Sequence, residues 1–265
     1  MKQKKLILFA AVLLLISAAA IWIWSSYRVP VLMYHSINSG AEKSRLIVSP
    51  QTFEKQMRFL RDHRYRIMTM EEYVDILRNK KPQPRHSVVI TFDDGYADNY
   101  SNAFPVLKKY SVPATIFVIP GWVNENKPDI MTWDQIRALV KSGLVEIGSH
   151  SYSHCVLTGL EENRILAELR ESKMMLEEKL GINIRYFSYP CGFFTNRIKK
   201  ETADQGYAAA CATHPGSEVA LDDIYAIRRI RISNSADNLF VFGAQVSGYY
   251  TFLKDRRVKY KNLDR

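Results

Sequence analysis

The sequence predicts an α/β fold in which a parallel, barrel-like sheet follows an apolar N-terminal segment. Short runs rich in β-branched residues alternate with amphipathic stretches, which is typical of a parallel sheet with helical connections. The chain has 265 residues, close to the roughly 250 that a single barrel occupies. Apolar residues make up 47% of it, an ordinary share for a packed domain. We expect one globular domain over residues 29–265, preceded by a separate segment at 1–28.

The N-terminal segment predicts a membrane-associated location. Lys2, Lys4 and Lys5 precede an uncharged apolar run from Leu6 to Trp24. As a helix this run would span about 28 Å, near the thickness of a bilayer's hydrocarbon core. We therefore expect a single transmembrane helix with the lysines in the cytoplasm and the domain outside the cell. The small residues Ser17 to Ala20 leave a cleavable signal peptide open, in which case the domain would be secreted.

The predicted elements follow one another along the rest of the chain. The predicted strands are 31–34, 65–69, 87–92, 114–119, 145–149, 185–189, 208–212 and 227–232. The clearest predicted helices are Pro50 to Asp62, Met70 to Arg78, Thr132 to Ser142 and Glu161 to Leu180. The last of these carries an apolar stripe that predicts core packing rather than a cofactor site.

One predicted strand stops at two adjacent carboxylates. Val88 to Phe92 is apolar, and Asp93, Asp94 and Gly95 follow it. Successive side chains of a strand point to opposite faces, so one carboxylate can bind a metal ion while the other acts as a base. Gly95 allows a turn that a side chain could strain. An ordinary turn after a strand is the alternative.

A second cluster follows the strand at 145–149. His150 and His154 stand four residues apart in His-Ser-Tyr-Ser-His. Both rings can reach one ion if the intervening residues form a helical turn. Two imidazoles and one carboxylate form a common ligand set for Zn²⁺ or a similar divalent ion. The alternative is one surface histidine and one capping histidine.

These residues resemble the first two motifs of the polysaccharide deacetylases, the NodB-homology family or carbohydrate esterase family 4. The matching stretches are Thr91 to Gly95 and His150 to His154, and the resemblance extends from about Val29 to Ser247. It implies a distorted (β/α) barrel and metal-dependent removal of acetyl groups from sugars. By the matching positions, Asp93 would be the general base, and Asp94, His150 and His154 would bind the metal ion.

The third motif of the family is altered. In Ser188-Tyr189-Pro190-Cys191 the serine stands where many members have arginine, and the cysteine where they have tyrosine. The resemblance implies that the backbone N–H after the proline holds the oxyanion, a role that Cys191 can still fill. Arg229 is one candidate to orient Asp93 in place of the missing arginine, and a solvated basic strand is the alternative.

The C-terminal Leu-x-His motif of the family is absent. His214 is the only histidine after His154, and its Thr-His-Pro-Gly context predicts a loop. The run from Val29 to His35 resembles the opening of the poly-N-acetylglucosamine deacetylase branch, in which an N-terminal histidine serves as general acid. His35 is therefore the expected acid at the end of the first strand, where barrel active sites gather. A structural histidine is the alternative.

The resemblance implies a function with partners and a cofactor. We expect de-N-acetylation of N-acetylglucosamine in a cell-surface or cell-wall polysaccharide, by a monomer that uses Zn²⁺, or else Co²⁺, Ni²⁺ or Fe²⁺. The formal charge of +10 suits anionic envelope polymers and lipid headgroups, and we expect no nucleic-acid partner. A catalytically silent carbohydrate-binding protein and an O-acetyl esterase on another glycan are the alternatives.

Overall fold

A computed structural model describes residues 2–40, 46–213, 220 and 222–250. The helices of this part are α1 (Lys2–Ser25), α2 (Pro50–Asp62), α3 (Met70–Arg78), α4 (Phe104–Tyr110), α5 (Pro120–Asn124), α6 (Trp133–Lys141), α7 (Glu162–Leu180), α8 (Asn196–Asp204) and α9 (Leu239–Val246). The strands are β1 (Val31–Tyr34), β2 (Ser36–Ile37), β3 (Ile47–Val48), β4 (Arg66–Met68), β5 (Ser87–Phe92), β6 (Ala114–Val118), β7 (Val145–Ser149), β8 (Tyr186–Ser188), β9 (Ala209–Ala212), β10 (Ile227–Arg228) and β11 (Ile230–Arg231).

Nine of these strands form a parallel, nearly closed barrel, as predicted. Its order is β10-β9-β8-β7-β6-β5-β1-β11, and β4 pairs with the first half of β5. Every pair in this sheet is parallel. Only Arg229 separates β10 from β11 in the chain, so the two ends of the sheet approach each other there. All carboxyl ends of the strands consequently lie at one rim.

Helix α3 closes the other end of the barrel. Its buried side chains Met70, Tyr73, Val74 and Leu77 share a core cluster with inward-facing residues of the strands, such as Phe117. The larger cluster packs the outer faces of the strands against α2 and against α4 to α9. Because α3 closes this end, access to the strands is left at the carboxyl rim.

Capping residues at the starts of α2, α3 and α6 explain why these helices lie close to their predicted bounds. Ser49 caps α2 through the Thr52 N–H. Thr69 and Thr132 each begin a capping box, with Glu72 and Gln135 as the reciprocal partners. The bounds of α2 and α3 are those predicted. α6 and α7 each begin one residue later than expected, and α6 also ends one residue earlier.

The N-terminal helix was predicted as a membrane anchor, and the structure does not support that part of the prediction. Residues 2–25 do form a helix, α1. Within the described part of the chain, however, no helix has the combination of length and apolar character that crossing a bilayer requires. The boundary between 1–28 and 29–265 stays a prediction. His214 lies outside the described residues.

Candidate active site

Asp93 and Asp94 lie at the carboxyl rim, directly after β5. Asp93 is 3% exposed and Asp94 is 6% exposed. Asp94 and Gly95 have φ angles of 71° and 76°, so the chain turns sharply there. A glycine tolerates such an angle without strain, as the sequence predicted. The Asp93 N–H donates to the carbonyl of Tyr34, which fixes the start of the turn against β1.

The segment from His150 to His154 is a bent loop and not the helical turn named above as a condition for a shared ion. Ser151 and His154 have φ angles of 62° and 65°, a left-handed conformation that no α-helix contains. The Ser151 hydroxyl accepts the His154 N–H at 3.0 Å. This side-chain bond competes with the helical backbone bond and closes the loop instead. The two rings nevertheless meet, with centroids 4.8 Å apart.

Asp94, His150 and His154 converge as a divalent metal site would require. Oδ1 of Asp94 is 3.5 Å from Nε2 of each histidine. Two ligand atoms bound about 2.1 Å from a tetrahedral ion stand about 3.4 Å apart, so these separations suit a shared ion. One ligand atom from each residue lies within 4.8 Å of the others. Oδ1 of Asp94 is buried and has no hydrogen-bond partner among the described residues, which a cation would remedy.

Hydrogen bonding and burial prepare His150 for metal binding. Its Nδ1 is 2.7 Å from the Ser188 carbonyl oxygen. A carbonyl only accepts, so Nδ1 carries the hydrogen and Nε2 presents its lone pair toward Asp94. Burial lowers the pKa of His150 to about 3, which keeps the ring neutral. Burial and the Asp93 charge raise the pKa of Asp94 to about 7, so a bound cation would favour its ionised form.

Arg229 reaches Asp93 from between β10 and β11. Its guanidinium donates from Nη1 to Oδ1 at 2.6 Å and from Nη2 to Oδ2 at 2.7 Å. Nη2 also donates to the Ser188 hydroxyl at 2.8 Å. Burial alone would raise the pKa of Asp93, but the charge and hydrogen bonds of Arg229 hold it well below its ordinary value. The alternative of a solvated Arg229 is wrong, because its side chain is fully buried.

His35 follows β1 at the same rim and is close enough to Asp93 for the two groups to interact electrostatically. It is 8% exposed, and its Nδ1 has no hydrogen-bond partner among the described residues. Burial lowers its pKa to about 4, while nearby Asp93 opposes that shift and Arg229 and Arg231 add to it. The neutral imidazole is therefore the resting form. This works against the protonated His35 that the sequence led us to expect, although the position agrees with that expectation.

Cys191 occupies a tight turn after β8. Its φ is 58°, and the side chain is exposed. The bonds that close the turn come from Gly192, whose N–H reaches the Tyr189 carbonyl at 2.8 Å, and from Phe193. The Cys191 N–H takes no part in them. Its oxyanion-binding role stays a prediction.

Glu168 supports the histidine loop and was not predicted to have this role. Its carboxylate is 2% exposed and accepts the Ser153 N–H at 2.9 Å and the Ser153 hydroxyl at 2.7 Å. The available signal was its position beside Ile165 and Leu169 on the buried face of α7, where an acidic residue needs a partner.

Asp98 and Asn99 support the segment around His35 in a similar way. Asp98 accepts the Ile37 N–H at 2.9 Å and the Ser36 hydroxyl at 2.6 Å. The Asn99 amide donates to the His35 carbonyl at 2.7 Å. Because these contacts join residues more than 60 positions apart, no local sequence pattern predicts them.

Comparisons with known proteins agree with this geometry. The family model for polysaccharide deacetylase matches residues 80–210. A putative polysaccharide deacetylase, YxkH of Bacillus subtilis (strain 168), is 34% identical over 219 residues, which are 83% of this chain and 76% of that protein. The poly-beta-1,6-N-acetyl-D-glucosamine N-deacetylase of Staphylococcus aureus (strain MSSA476) is 30% identical over 75% of this chain and 72% of its own.

A solved structure shares the fold. The Streptococcus pyogenes deacetylase PplD in complex with acetate superposes with a TM-score of 0.73 at 29% identity. The match covers 83% of this chain and 97% of that one. The distorted barrel predicted from the sequence is thus confirmed both by strand order and by this similarity.

Proposed function

This chain belongs to the polysaccharide deacetylase family, and from that membership we propose that it removes acetyl groups from N-acetylglucosamine residues of an envelope polysaccharide. The observation that carries the proposal is the convergence of Asp94, His150 and His154 beside the ionised Asp93. The curated relative from Staphylococcus aureus, named for poly-β-1,6-N-acetylglucosamine, supports that polymer as the first substrate to test.

Asp93 is the proposed general base. Its pKa is held low by Arg229, so the carboxylate is ionised at neutral pH and can accept the proton of the attacking water. A divalent cation held by Asp94, His150 and His154 would polarise the acetyl carbonyl and make that water more acidic. Zinc is our first choice, since it favours two imidazoles and one carboxylate with open positions left.

His35 and Cys191 are the residues that we propose act on the leaving amine and on the carbonyl oxygen. When the C–N bond breaks, the amine nitrogen must gain a proton, and His35 is the proposed donor. Because its resting pKa is about 4, we propose that His35 receives the proton that Asp93 has taken from the attacking water and passes it to the amine, which leaves both residues in their starting states. The Cys191 N–H would donate to the carbonyl oxygen as negative charge develops there.

Acetate release from N-acetylglucosamine oligomers tests the function. We expect release by the zinc-loaded protein, its loss after chelation and its return when zinc is added. Asp93→Asn should lower kcat by about 10²–10⁴-fold, with zinc content unchanged. Asp134→Asn, on the exposed face of α6, is the matched control and should keep wild-type turnover. An Asp93→Asn enzyme with near-normal turnover would contradict the role of Asp93.

The same assay separates the alternatives. Binding of the oligomers without any acetate release would favour a silent carbohydrate-binding protein. Release from acetylated xylan, but not from N-acetylglucosamine oligomers, would favour an O-acetyl esterase. The complete set of Asp93, Asp94, His150 and His154 supports the enzyme, since a binding protein has no need of a metal site with open positions.

We also propose that the domain acts outside the cytoplasm, where such polymers lie. The N-terminal lysines and the apolar run after them support export. Fractionation of cells followed by N-terminal sequencing of the purified protein tests this. A mature protein recovered from the cytoplasm with Met1 or Lys2 at its start would contradict it.

A further inference from the structure

A cavity lies at the base of the barrel, at the opposite end from the candidate active site. It is an open cavity bordered by the end of α1, the last turn of α3 and the segment 80–85, and its volume is about 470 Å³. Arg28 precedes β1 and Arg85 precedes β5, whereas His35 and Asp93 follow the other ends of these two strands. A ligand in this cavity would therefore not touch the residues proposed for catalysis.

The walls of the cavity are strongly basic. Arg28, Lys80, Lys81 and Arg85 line it, and Asp222 is the one carboxylate among the described lining residues. A cleft lined by charges of one sign focuses its electric field and concentrates ions of the opposite sign. The cavity is thus suited to an anion.

Arg85 is held in place by neutral groups, so its charge stays available. Its guanidinium donates to the Trp24 carbonyl at 2.8 Å and to the Tyr249 hydroxyl at 2.7 Å. It also stacks on the Trp24 ring, 3.4 Å from the centroid. Stacking and hydrogen bonding fix its orientation before any ligand arrives, which lowers the entropic cost of binding.

The other cations differ in how far they are neutralised. Arg28 donates from Nη1 to the carbonyls of Ser25 and Tyr27, which are uncharged acceptors. Lys81 forms an ion pair with Asp75 at 2.7 Å. The side chain of Lys80 has no ion pair or hydrogen bond with any residue that the structure describes, and only its backbone N–H is bonded, to the Leu77 carbonyl. Arg28, Lys80 and Arg85 therefore form no ion pair with any carboxylate in the described part of the chain, although Asp222 also lines the cavity.

We propose that this basal cavity binds a phosphate group of an anionic ligand. Guanidinium groups match phosphate oxygens with paired donors, and a lysine adds a mobile point charge. The volume leaves room for a glycerol or sugar beside the phosphate, with the Trp24 and Tyr27 rings as apolar walls. A phospholipid headgroup and a soluble phosphate ester share this chemistry.

Binding measurements with the full chain test the proposal and separate the two sources. Glycerol 3-phosphate is titrated by calorimetry, and vesicles of phosphatidylcholine with or without phosphatidylglycerol are used in flotation. We expect Lys80→Gln to weaken binding about fivefold, the usual effect of one cation near an anionic surface. Lys141→Gln, which removes the same charge from the exposed end of α6, should bind like wild type. Acetate release should be the same in all three proteins, because the cavity lies away from the carboxyl rim.

The outcomes are distinct. Binding of either probe that weakens with Lys80→Gln but not with Lys141→Gln supports the site, and the responsive probe identifies the source. No binding of either probe, or binding that both substitutions weaken equally, would overturn the proposal, since the second result indicates only overall positive charge.

Discussion

Arg229 and Asp93 form a buried, two-point ion pair across the mouth of the barrel, with N–O distances of 2.6 and 2.7 Å. Two parallel hydrogen bonds fix the plane of the carboxylate as well as its position. The ion pair also explains how the altered third motif can work. Ser188, at the position where many family members have arginine, accepts a hydrogen bond from Nη2 of Arg229. The arginine thus reaches the base from the last strands of the barrel instead.

Arg229→Lys tests this positioning role. Lysine keeps the charge but cannot form the paired bonds, so Asp93 should lose its fixed orientation. We expect kcat to fall about 10²-fold, the usual effect of a small misplacement of a reacting group, while KM changes little. Steady-state kinetics with thermal unfolding as the control measures this. An unchanged kcat in a folded protein, or an equal change in kcat and KM, would argue against the role.

A double substitution provides a sharper test of the same idea. Arg229→Ser combined with Ser188→Arg moves the guanidinium to the position that other family members use. We expect the single Arg229→Ser protein to be unstable, because removing one partner of a buried ion pair costs about 3–5 kcal/mol. The double variant should recover part of both stability and kcat. No recovery of either would mean that Arg229 has contacts that position 188 cannot replace.

The proposed metal site predicts stabilisation by zinc. A ligand that binds only the folded state raises its stability, by about 2.7 kcal/mol at a concentration of 100 times Kd. We expect zinc to raise the Tm of the wild-type protein, and His154→Ala to abolish most of that rise. His63→Ala, on the far end of α2, is the matched control. A rise that survives in both His154→Ala and Asp94→Asn would place the bound zinc elsewhere.

The elements with strong local signals could be predicted, and the long-range contacts of the site could not. β5 and β7 match their predicted bounds. In both, β-branched apolar residues lead into polar residues that end the strand. The strand predicted at 227–232 is divided into β10 and β11, because the buried Arg229 between them turns to Asp93 instead of continuing the strand. Helices α4, α5, α8 and α9 and the β2–β3 pair were not among the clear predictions. α4 and α5 have only seven and five residues, so their formation depends more on tertiary packing than on local propensity.

Glu168 provides a test of the contacts that the sequence did not predict. Glu168→Gln removes the charge that holds Ser153 in the histidine loop, so His154 should be less well placed. We expect zinc affinity to fall about tenfold, as for other groups that orient metal ligands. Competition with a chromophoric chelator measures it. Glu171→Gln on the exposed side of α7 should leave the affinity unchanged, and equal effects of the two would contradict a role for Glu168.

The raised pKa of Glu146 makes the stability of the folded protein depend on pH. Burial raises its pKa to about 7 in the folded protein, from an ordinary value of 4.5, with nearby Arg185 opposing the shift. The folded state therefore holds a proton that the unfolded state releases between these values. Stability from this residue is fully present below pH 4.5 and is lost as the pH rises to about 7.

Glu146→Gln should remove this loss, because glutamine does not ionise. Compared with wild type, we expect the variant to gain about 2 kcal/mol in unfolding free energy at pH 8 relative to pH 5, an estimate reduced for partial exposure. Urea unfolding at the two pH values, with zinc held constant, measures the difference. Glu178→Gln, on an exposed turn of α7, is the control. It should change the unfolding free energy by the same amount at pH 5 and at pH 8. If Glu146→Gln and wild type lose the same stability between pH 5 and pH 8, the carboxyl group of Glu146 is already ionised at pH 5 in the folded protein.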